Sequence, residues 1–274
     1  MDAFELPLAE DILSRAEALA RRAGELLQAG QAELTELHVR CKSASRDLVT
    51  DLDLASERLL VEGLREAWPE HAIEAEEETC DAVSAGELRW FIDPLDGTVN
   101  FVHGFQHYCV SMALYREGGG GRAPEPLLAV VHAPALGETF CARRGGGTFL
   151  NGEAVRVRPT AALDEAVVAT GFPYRRGELE HSNLENFSRL FYSVRGLRRM
   201  GSAALDLANV AAGRLDAFWE LHLSSFDVAA GALLVREAGG LVTDADGGED
   251  WLRGGHLVAG GAQLHRTLVP LIEH

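Results

Sequence analysis

The spacing of apolar residues predicts two helices in the first quarter of the chain. Between residues 9 and 29, apolar side chains recur every three or four positions, which is typical of one face of an amphipathic helix. These side chains belong to Ile12, Ala16, Leu19, Ala23 and Leu26. A strand with alternating apolar residues is predicted over 37–41. A second helix should follow the segment 47–53 and end near Ala67, because Pro69 cannot continue it.

The middle of the chain changes to short apolar runs that are typical of strands. Residues 90–92 predict a buried strand that ends at Asp93 and Pro94. Further strands are predicted over 108–115, 127–132, 138–142 and 154–157, with turns that contain glycine between them. Residues 1–158 should therefore form an N-terminal α+β half, in which helices pack on an antiparallel sheet.

After Pro159 the pattern alternates between strand and helix. Strands are predicted over 167–170, 215–221 and 257–259, and helices over 182–191, 201–213 and 226–238. Residues 159–274 should therefore form a C-terminal α/β half. The fold class of the whole chain is α/β, and we expect the two halves to make one compact catalytic unit.

Composition and charge narrow the range of functions. The formal net charge is −17, which repels nucleic acid and anionic membrane surfaces, so neither partner is expected. The sequence contains no apolar run near the roughly 18 residues of a membrane span and no signal-peptide pattern. Its four cysteines are widely spaced and form no metal-binding pair, which favours reduced thiols and a cytoplasmic protein.

The segment 93–98 carries the strongest chemical signal. Asp93 and Asp96 lie around Pro94, which fixes the backbone, and Gly97 and Thr98 follow. Two carboxylates on a rigid turn can hold a hard cation, and the backbone N–H groups after Gly97 could face a phosphate. An ordinary turn remains an alternative, because Asp, Pro and Gly are common in turns.

A longer comparison of motifs gives a family resemblance. Residues 93–101, D-P-L-D-G-T-V-N-F, resemble the signature of the inositol monophosphatase family. Residues 225–231, S-F-D-V-A-A-G, are similar to its second signature, W-D-x-A-A-G, with Phe226 in place of Trp. Glu76 and Glu77 match the family's glutamate pair, although Ala75 stands where many members have Gly. The resemblance implies the layered αβαβα sandwich of the inositol monophosphatase and fructose-1,6-bisphosphatase type.

The resemblance also implies roles for individual residues. It implies metal ligation by the carboxylates of Glu76, Asp93, Asp96 and Asp227 and by the carbonyl of Leu95. It implies that Asp53, Thr98 and Glu76 activate the attacking water. Substrate contacts are implied for Gly97, Thr98, Ser202, Ala203, Glu220 and Asp227. Lys42 and Glu77 are further possible site residues.

Several of these residues also have purely structural interpretations. Thr50 and Asp53 fit a capping box at the start of the second helix, and Asp227 fits an N-cap. Lys42 could be a solvated surface lysine, and Glu220 could be a solvent-facing strand end. From local sequence alone these alternatives stay open.

The implied function is a Mg²⁺-dependent phosphomonoesterase, an inositol-phosphate phosphatase that uses a metal-activated water. Two or three Mg²⁺ ions are expected, with Mn²⁺ as a possible substitute and Li⁺ as an inhibitor. The substrate should be a small phosphorylated polyol, inositol 1-phosphate, and a homodimer is expected by resemblance. Alternatives are the same chemistry on fructose 1,6-bisphosphate, NADP or 3′-phosphonucleotides, a regulatory protein that binds the transcription or ribosomal-RNA machinery, and a structural cation-binding module.

Overall fold

A computed structural model describes residues 6–33, 39–41, 48–84, 86–119, 122–179 and 181–274. The helices in these ranges are α1 (Leu6–Gln31), α2 (Asp51–Ala67), α3 (Thr98–Val102), α4 (Leu184–Phe191), α5 (Ala203–Ala211), α6 (Ser225–Glu237) and α7 (Ala262–Leu268). The strands are β1 (Val39–Cys41), β2 (Leu48–Thr50), β3 (Ala72–Ala75), β4 (Leu88–Asp96), β5 (Cys109–Arg116), β6 (Glu125–Ala133), β7 (Glu138–Arg143), β8 (Gly147–Leu150), β9 (Glu153–Val155), β10 (Val167–Thr170), β11 (Gly196–Arg198), β12 (Ala217–Leu221), β13 (Leu241–Thr243) and β14 (His256–Gly260).

Two large sheets and a small ribbon contain all of these strands. The first sheet has seven strands in the order β3-β4-β5-β6-β7-β8-β9, and the second has five in the order β11-β10-β12-β14-β13. In the first sheet only the β3–β4 pair is parallel. In the second, β10 pairs in parallel with β11 and β12, whereas β14 is antiparallel to β12 and β13. Strands β1 and β2 form the ribbon.

Alternation along β4 sends its side chains to two different cores. Trp90 and Ile92 face α1 and α2, where they pack with Leu27, Leu60 and other buried side chains of these helices. Phe91 faces the other way and joins a core that includes side chains of α5, α6 and the second sheet. Because both faces of the first sheet are covered by protein, its strands read as nearly continuous apolar runs.

The remaining layers also bury their apolar faces against one another. Helices α5 and α6 lie between the sheets, and every residue of α5 is buried. The outer face of the second sheet, represented by Trp219 and Val258, packs against Leu190 of α4 and Leu264 of α7. The order of layers is helix, sheet, helix, sheet, helix, so the predicted α/β class and αβαβα sandwich are confirmed.

Most predicted elements are confirmed, with three differences in the strands. Strand β4 does not stop at Asp93 and Pro94 but continues to Asp96. Strand β8 begins at Gly147, directly after a turn, and was not predicted, and the strand predicted over 154–157 is the shorter β9, Glu153–Val155. Strands β11 and β13, also three residues each, were not predicted. Within the described part of the chain, none of the helices has both the length and the apolar composition needed to cross a membrane.

Candidate active site

An irregularity in β4 brings Asp93 and Asp96 to the same end of the first sheet. Asp93 is paired with Ser111 of β5, and Asp96 with Cys109, so three steps along β4 match two along β5. The extra residue forms a bulge that contains Pro94, in keeping with the position of proline at bulges. The Asp93 carboxylate accepts a hydrogen bond from the N–H of Leu95 at 3.0 Å, which fixes the turn between the two acids.

Gly97 makes the turn from β4 into α3. Its φ is +98°, a conformation that side chains with a Cβ rarely adopt. A Cβ here would also lie 3.0 Å from the carbonyl oxygen of His107 and 3.3 Å from that of Gly201. Glycine therefore lets three backbone segments meet and places Thr98 directly after the acids.

The Thr98 hydroxyl lies between Asp53 and the backbone of β4. Its oxygen is 3.0 Å from Asp53 Oδ1 and 3.1 Å from the Leu95 carbonyl oxygen. A hydroxyl has one proton, so it donates to one of these acceptors at a time. The hydroxyl can therefore change its donor direction without moving its oxygen.

Asp53 is held from its other side by the start of α2. Its Oδ2 accepts hydrogen bonds from the Thr50 N–H at 2.8 Å and from the Thr50 hydroxyl at 2.5 Å, and the predicted capping box is present. Burial raises the pKa of Asp53 to about 6, although the bonds from Thr50 and Thr98 oppose the shift. The capping interpretation is confirmed, and it leaves the second carboxylate oxygen facing Thr98.

A second buried acid on α2 shapes the loop that carries Glu76. The Glu57 carboxylate accepts hydrogen bonds from the N–H groups of Glu77, Glu78 and Thr79 at 2.7, 2.9 and 2.9 Å. The Glu76 N–H donates to the Ile92 carbonyl at 3.1 Å. The predicted glutamate pair is thus fixed to both α2 and β4, and Glu77 is held through its backbone.

The second half of the chain contributes the starts of two helices. Asp96 Oδ2 accepts hydrogen bonds from the Ser202 hydroxyl at 2.6 Å and from the Ala204 N–H at 2.7 Å, at the beginning of α5. Asp227 Oδ2 accepts the Ser224 N–H at 2.6 Å. The predicted N-cap at Asp227 is wrong, because Ser224 is the N-cap of α6 and Asp227 is the third helical residue, which completes a capping box. Both helices therefore start beside the acids of the first sheet.

One cavity of about 590 Å³ brings these segments together. Six of the predicted site residues line it: Glu76, Asp96, Ser202, Ala203, Glu220 and Asp227. Its wall combines the end of the first sheet with α5, β12 and α6. Lys42 lies outside the described residues.

The acids at this cavity repel one another electrostatically. Burial, followed by the charges of Glu76, Asp96 and Asp227, raises the pKa of Asp93 well above its usual range. Burial also raises the pKa of Asp96 to about 6, against the hydrogen bonds from Ser202 and Ala204. A cation among these groups would reverse the repulsion, because an opposite charge favours ionised carboxylates.

The donor atoms suit a hard cation such as Mg²⁺. Carboxylate, carbonyl and hydroxyl oxygens from Glu76, Asp93, Asp96, Leu95 and Thr98 are of the class that this ion prefers. Within the described ranges, however, no three His, Cys, Asp or Glu side chains are already placed to hold one metal ion. The residues therefore fit such an ion by chemistry, and the structure shows no finished coordination geometry.

Glu220 and Arg199 bring opposite charges to the lining of the cavity. The Glu220 carboxylate packs against Gly171, where a Cβ would lie only 2.1 Å from its oxygens. Burial raises the pKa of Glu220 well above its usual range, while Arg199 acts in the opposite direction. Arg199 is exposed and also lines the cavity, so it adds a positive charge at its edge.

Sequence reasoning also missed other residues near the site. The His107 Nε2 lies 3.0 Å from Asp206 Oδ1, and both groups are largely buried. The Asn100 amide donates to the carbonyls of His107 and Met200 at 2.6 and 2.7 Å. Tyr174 lines the cavity from a loop after β10. Only Glu57 had a usable signal, because it follows Asp53 by one helical turn on a buried face.

Comparisons with known proteins show the family to which the chain belongs. The model of the inositol monophosphatase family matches residues 8–274. A protein of Pseudomonas aeruginosa named Nus factor SuhB is 44% identical over 270 residues, covering 96% of each chain. An inositol-1-monophosphatase of Rhizobium meliloti is 42% identical over 252 residues, covering 92% of each. Among solved structures, an IMPase of Thermotoga maritima superposes with a TM-score of 0.84 at 36% identity, over 95% of this chain and 96% of that one.

Proposed function

Because this chain belongs to the inositol monophosphatase family, we propose that it is a Mg²⁺-dependent phosphomonoesterase that hydrolyses inositol 1-phosphate. The observation that carries the proposal is the meeting of acids from both halves of the chain at one cavity. Glu76 and Asp96 come from the first half of the chain and Asp227 from the second. Thr98, whose hydroxyl is 3.0 Å from Asp53, lies two residues after Asp96.

Magnesium ions held by Glu76, Asp93, Asp96 and Asp227 would neutralise the phosphate charge and lower the pKa of a coordinated water. The chain's own residues supply the remaining functions. Asp53, whose pKa is raised to about 6, is suited to exchange a proton with the Thr98 hydroxyl near neutral pH. That hydroxyl can in turn orient a water beside the phosphorus atom.

The phosphate and the alcohol would occupy different parts of the cavity. Backbone N–H groups at Gly97 and Thr98 are proposed to face the phosphate at the start of α3. Glu220 is proposed to accept hydrogen bonds from two neighbouring ring hydroxyls, because a carboxylate accepts such bonds but repels phosphate. The guanidinium of Arg199 lies on the same wall and adds positive charge to an otherwise acidic cavity.

A phosphate-release assay on the purified protein tests this proposal. Inositol 1-phosphate should be hydrolysed faster than fructose 1,6-bisphosphate, NADP or a 3′-phosphonucleotide, and EDTA should abolish the activity. Asp93→Asn should lower kcat by about 10²-fold, the scale of losing one preorganised electrostatic contact. Full activity in excess EDTA would disprove the metal mechanism, and preference for another substrate would replace inositol 1-phosphate.

A second candidate function rests on the name of a relative. The Pseudomonas aeruginosa protein is named a Nus factor, so we propose that this chain also binds the transcription machinery. Purified RNA polymerase with Nus proteins should retain the chain on a column, and Asp93→Asn should be retained equally. If the column retains neither the wild type nor Asp93→Asn, this candidate function is disproved, and the phosphatase proposal is unaffected.

A further inference from the structure

Glu74 occupies an unusual position for a charged residue. It lies on β3, two residues before Glu76, and its side chain is only 12% exposed. The carboxylate contacts the hydroxyl of Ser225, the first residue of α6, and a guanidinium nitrogen of Arg89 on β4. Arg253 Nη1 donates to Glu74 Oε1 at 2.7 Å and to Oε2 at 3.0 Å.

These contacts join the two halves of the chain beside the acids. Glu74 belongs to the edge strand of the first sheet, whereas Ser225 and Arg253 belong to the second half. Ser225 lies two residues before Asp227, just as Glu74 lies two residues before Glu76. A single carboxylate therefore links the segment that carries Glu76 to the segment that carries Asp227.

Further contacts fix the position of Arg253. Its guanidinium lies 5.0 Å from the centre of the Phe91 ring, and its Nη1 is 3.3 Å from the Ser225 hydroxyl. Its Nη2 lies 3.7 Å from Glu117 Oε1, which also pairs with Arg89 Nε at 3.0 Å. A guanidinium held by an aromatic face and two acids loses little further freedom when a ligand binds nearby.

The acids themselves give a reason for such a link. Glu76 and Asp227 line the same cavity, and like charges so placed repel each other, which favours separation of the segments that carry them. A link between the segments opposes that separation before any cation arrives. The ligands are then already close together in the folded protein, so binding of the ion needs less free energy to assemble them, which is the general benefit of preorganisation.

We propose that Glu74, Ser225 and Arg253 form a clamp that raises the affinity of the site for Mg²⁺ by holding the Glu76 and Asp227 segments together. The proposal rests on the proposed function, because it assumes that these two carboxylates bind the ion. The three are positioning residues, since they act through the backbone segments of the ligands.

Removal of Arg253 distinguishes the clamp from simple electrostatics. Loss of a positive charge should strengthen binding of a cation through space, whereas loss of the clamp should weaken it. In isothermal titration of the full chain with Mg²⁺ alone, Arg253→Gln should raise the dissociation constant by about tenfold, the lower end for supporting groups of a metal site.

The chain offers a matched control. Arg214 pairs with Glu138 at 2.7 Å, is exposed to a similar extent (43% against 42% for Arg253), and lies 5.9 Å from the Phe140 ring. This pair also joins the second half of the chain to the first sheet, but none of the predicted metal ligands is near it in sequence. Arg214→Gln should leave the Mg²⁺ dissociation constant within about twofold.

A milder variant guards against loss of folding. Ser225→Ala removes one hydrogen-bond donor without changing charge, and it should weaken Mg²⁺ binding by a smaller factor of about three, since the Glu74–Arg253 pair stays in place and one hydrogen bond from a neutral donor contributes little. Unchanged or tighter binding in Arg253→Gln, or equal weakening in Arg214→Gln, would overturn the clamp. If the wild-type protein binds no Mg²⁺, both the clamp and the proposed function are disproved.

Discussion

Single acids at this site have an observed structural role and keep an oxygen available for the proposed chemistry. Asp53 caps α2 with one carboxylate oxygen and meets Thr98 with the other. Asp227 caps α6 while it faces the cavity. The structural and functional interpretations of these acids are therefore not alternatives, because a carboxylate has two oxygens and several acceptor positions.

The Thr98 hydroxyl gives the first prediction. Thr98→Ala removes the group between Asp53 and the Leu95 carbonyl, and kcat for phosphate release should fall by about 10²-fold, the scale of a lost proton-transfer contact. Thr98→Ser keeps the hydroxyl and should stay within about tenfold of the wild type under the same assay. Near-normal turnover by the alanine variant would show that the hydroxyl has no part in the reaction.

The second prediction concerns recognition of the alcohol by Glu220. Glu220→Ala should raise KM for inositol 1-phosphate by about tenfold, because hydrogen bonds to ring hydroxyls are lost. p-Nitrophenyl phosphate has no ring hydroxyls, so its KM should change little, and Glu220→Gln should give an intermediate loss on the inositol ester. Equal losses on both esters would place Glu220 in the catalytic or structural machinery instead.

At the scale of elements, the central layer depends on close contact between α5 and α6. Gly231 of α6 lies against Leu207 of α5, where an added Cβ would be 2.4 Å from the Leu207 Cβ. The glycine at the end of the second signature therefore has a packing reason. The close contact between α5 and α6 also sets the positions of Ser202, at the start of α5, and Asp227, at the start of α6.

The third prediction follows from that contact. Gly231→Ala should destabilise the protein by about 1–3 kcal/mol in urea unfolding, the usual cost of overpacking a core. Combined with Leu207→Gly, which removes the Cβ that the added methyl group would meet, the two changes should cost less than the sum of their separate effects. Strict additivity would mean that the helices shift to admit the methyl group.

The sequence was most informative where a pattern was long. The helices around Ala16 and Leu60 and the apolar run at Trp90 were predictable from their periodicity, and the two signatures indicated the acids. Strands β11 and β13 have three residues each, too few to show a period. Glu74 looks like a surface charge locally, because its partners come from distant parts of the chain.

For the whole molecule, the acidic site makes stability depend on protons and cations. The pKa of Asp96 rises from 3.8 to about 6, so the folded protein holds this proton more tightly than the unfolded chain. The stabilisation is complete below the unfolded value and is lost as pH rises through the folded value. His132 works in the opposite sense, because burial lowers its pKa to about 4.

The fourth prediction isolates the contribution of Asp96. In EDTA, the free energy of unfolding of the wild-type protein should fall between pH 4 and pH 7 by about 1–3 kcal/mol more than that of Asp96→Asn, since one pKa unit is worth about 1.4 kcal/mol. Added Mg²⁺ should restore most of this loss at pH 7 in the wild type only. If the free energies of unfolding of the two proteins in urea depend on pH in the same way, the pKa of Asp96 is not raised in the folded protein.

The shared central layer has a consequence for synthesis on the ribosome. The first sheet is complete at Val155, but the face that carries Phe91, Tyr115 and Phe140 is covered by helices α5 and α6, which are made later. Until those helices leave the exit tunnel, the nascent chain presents a broad apolar sheet surface to the solvent. Such surfaces are recognised by chaperones and promote aggregation. We therefore expect the yield of folded protein to depend on translation speed and chaperone supply across residues 156–237.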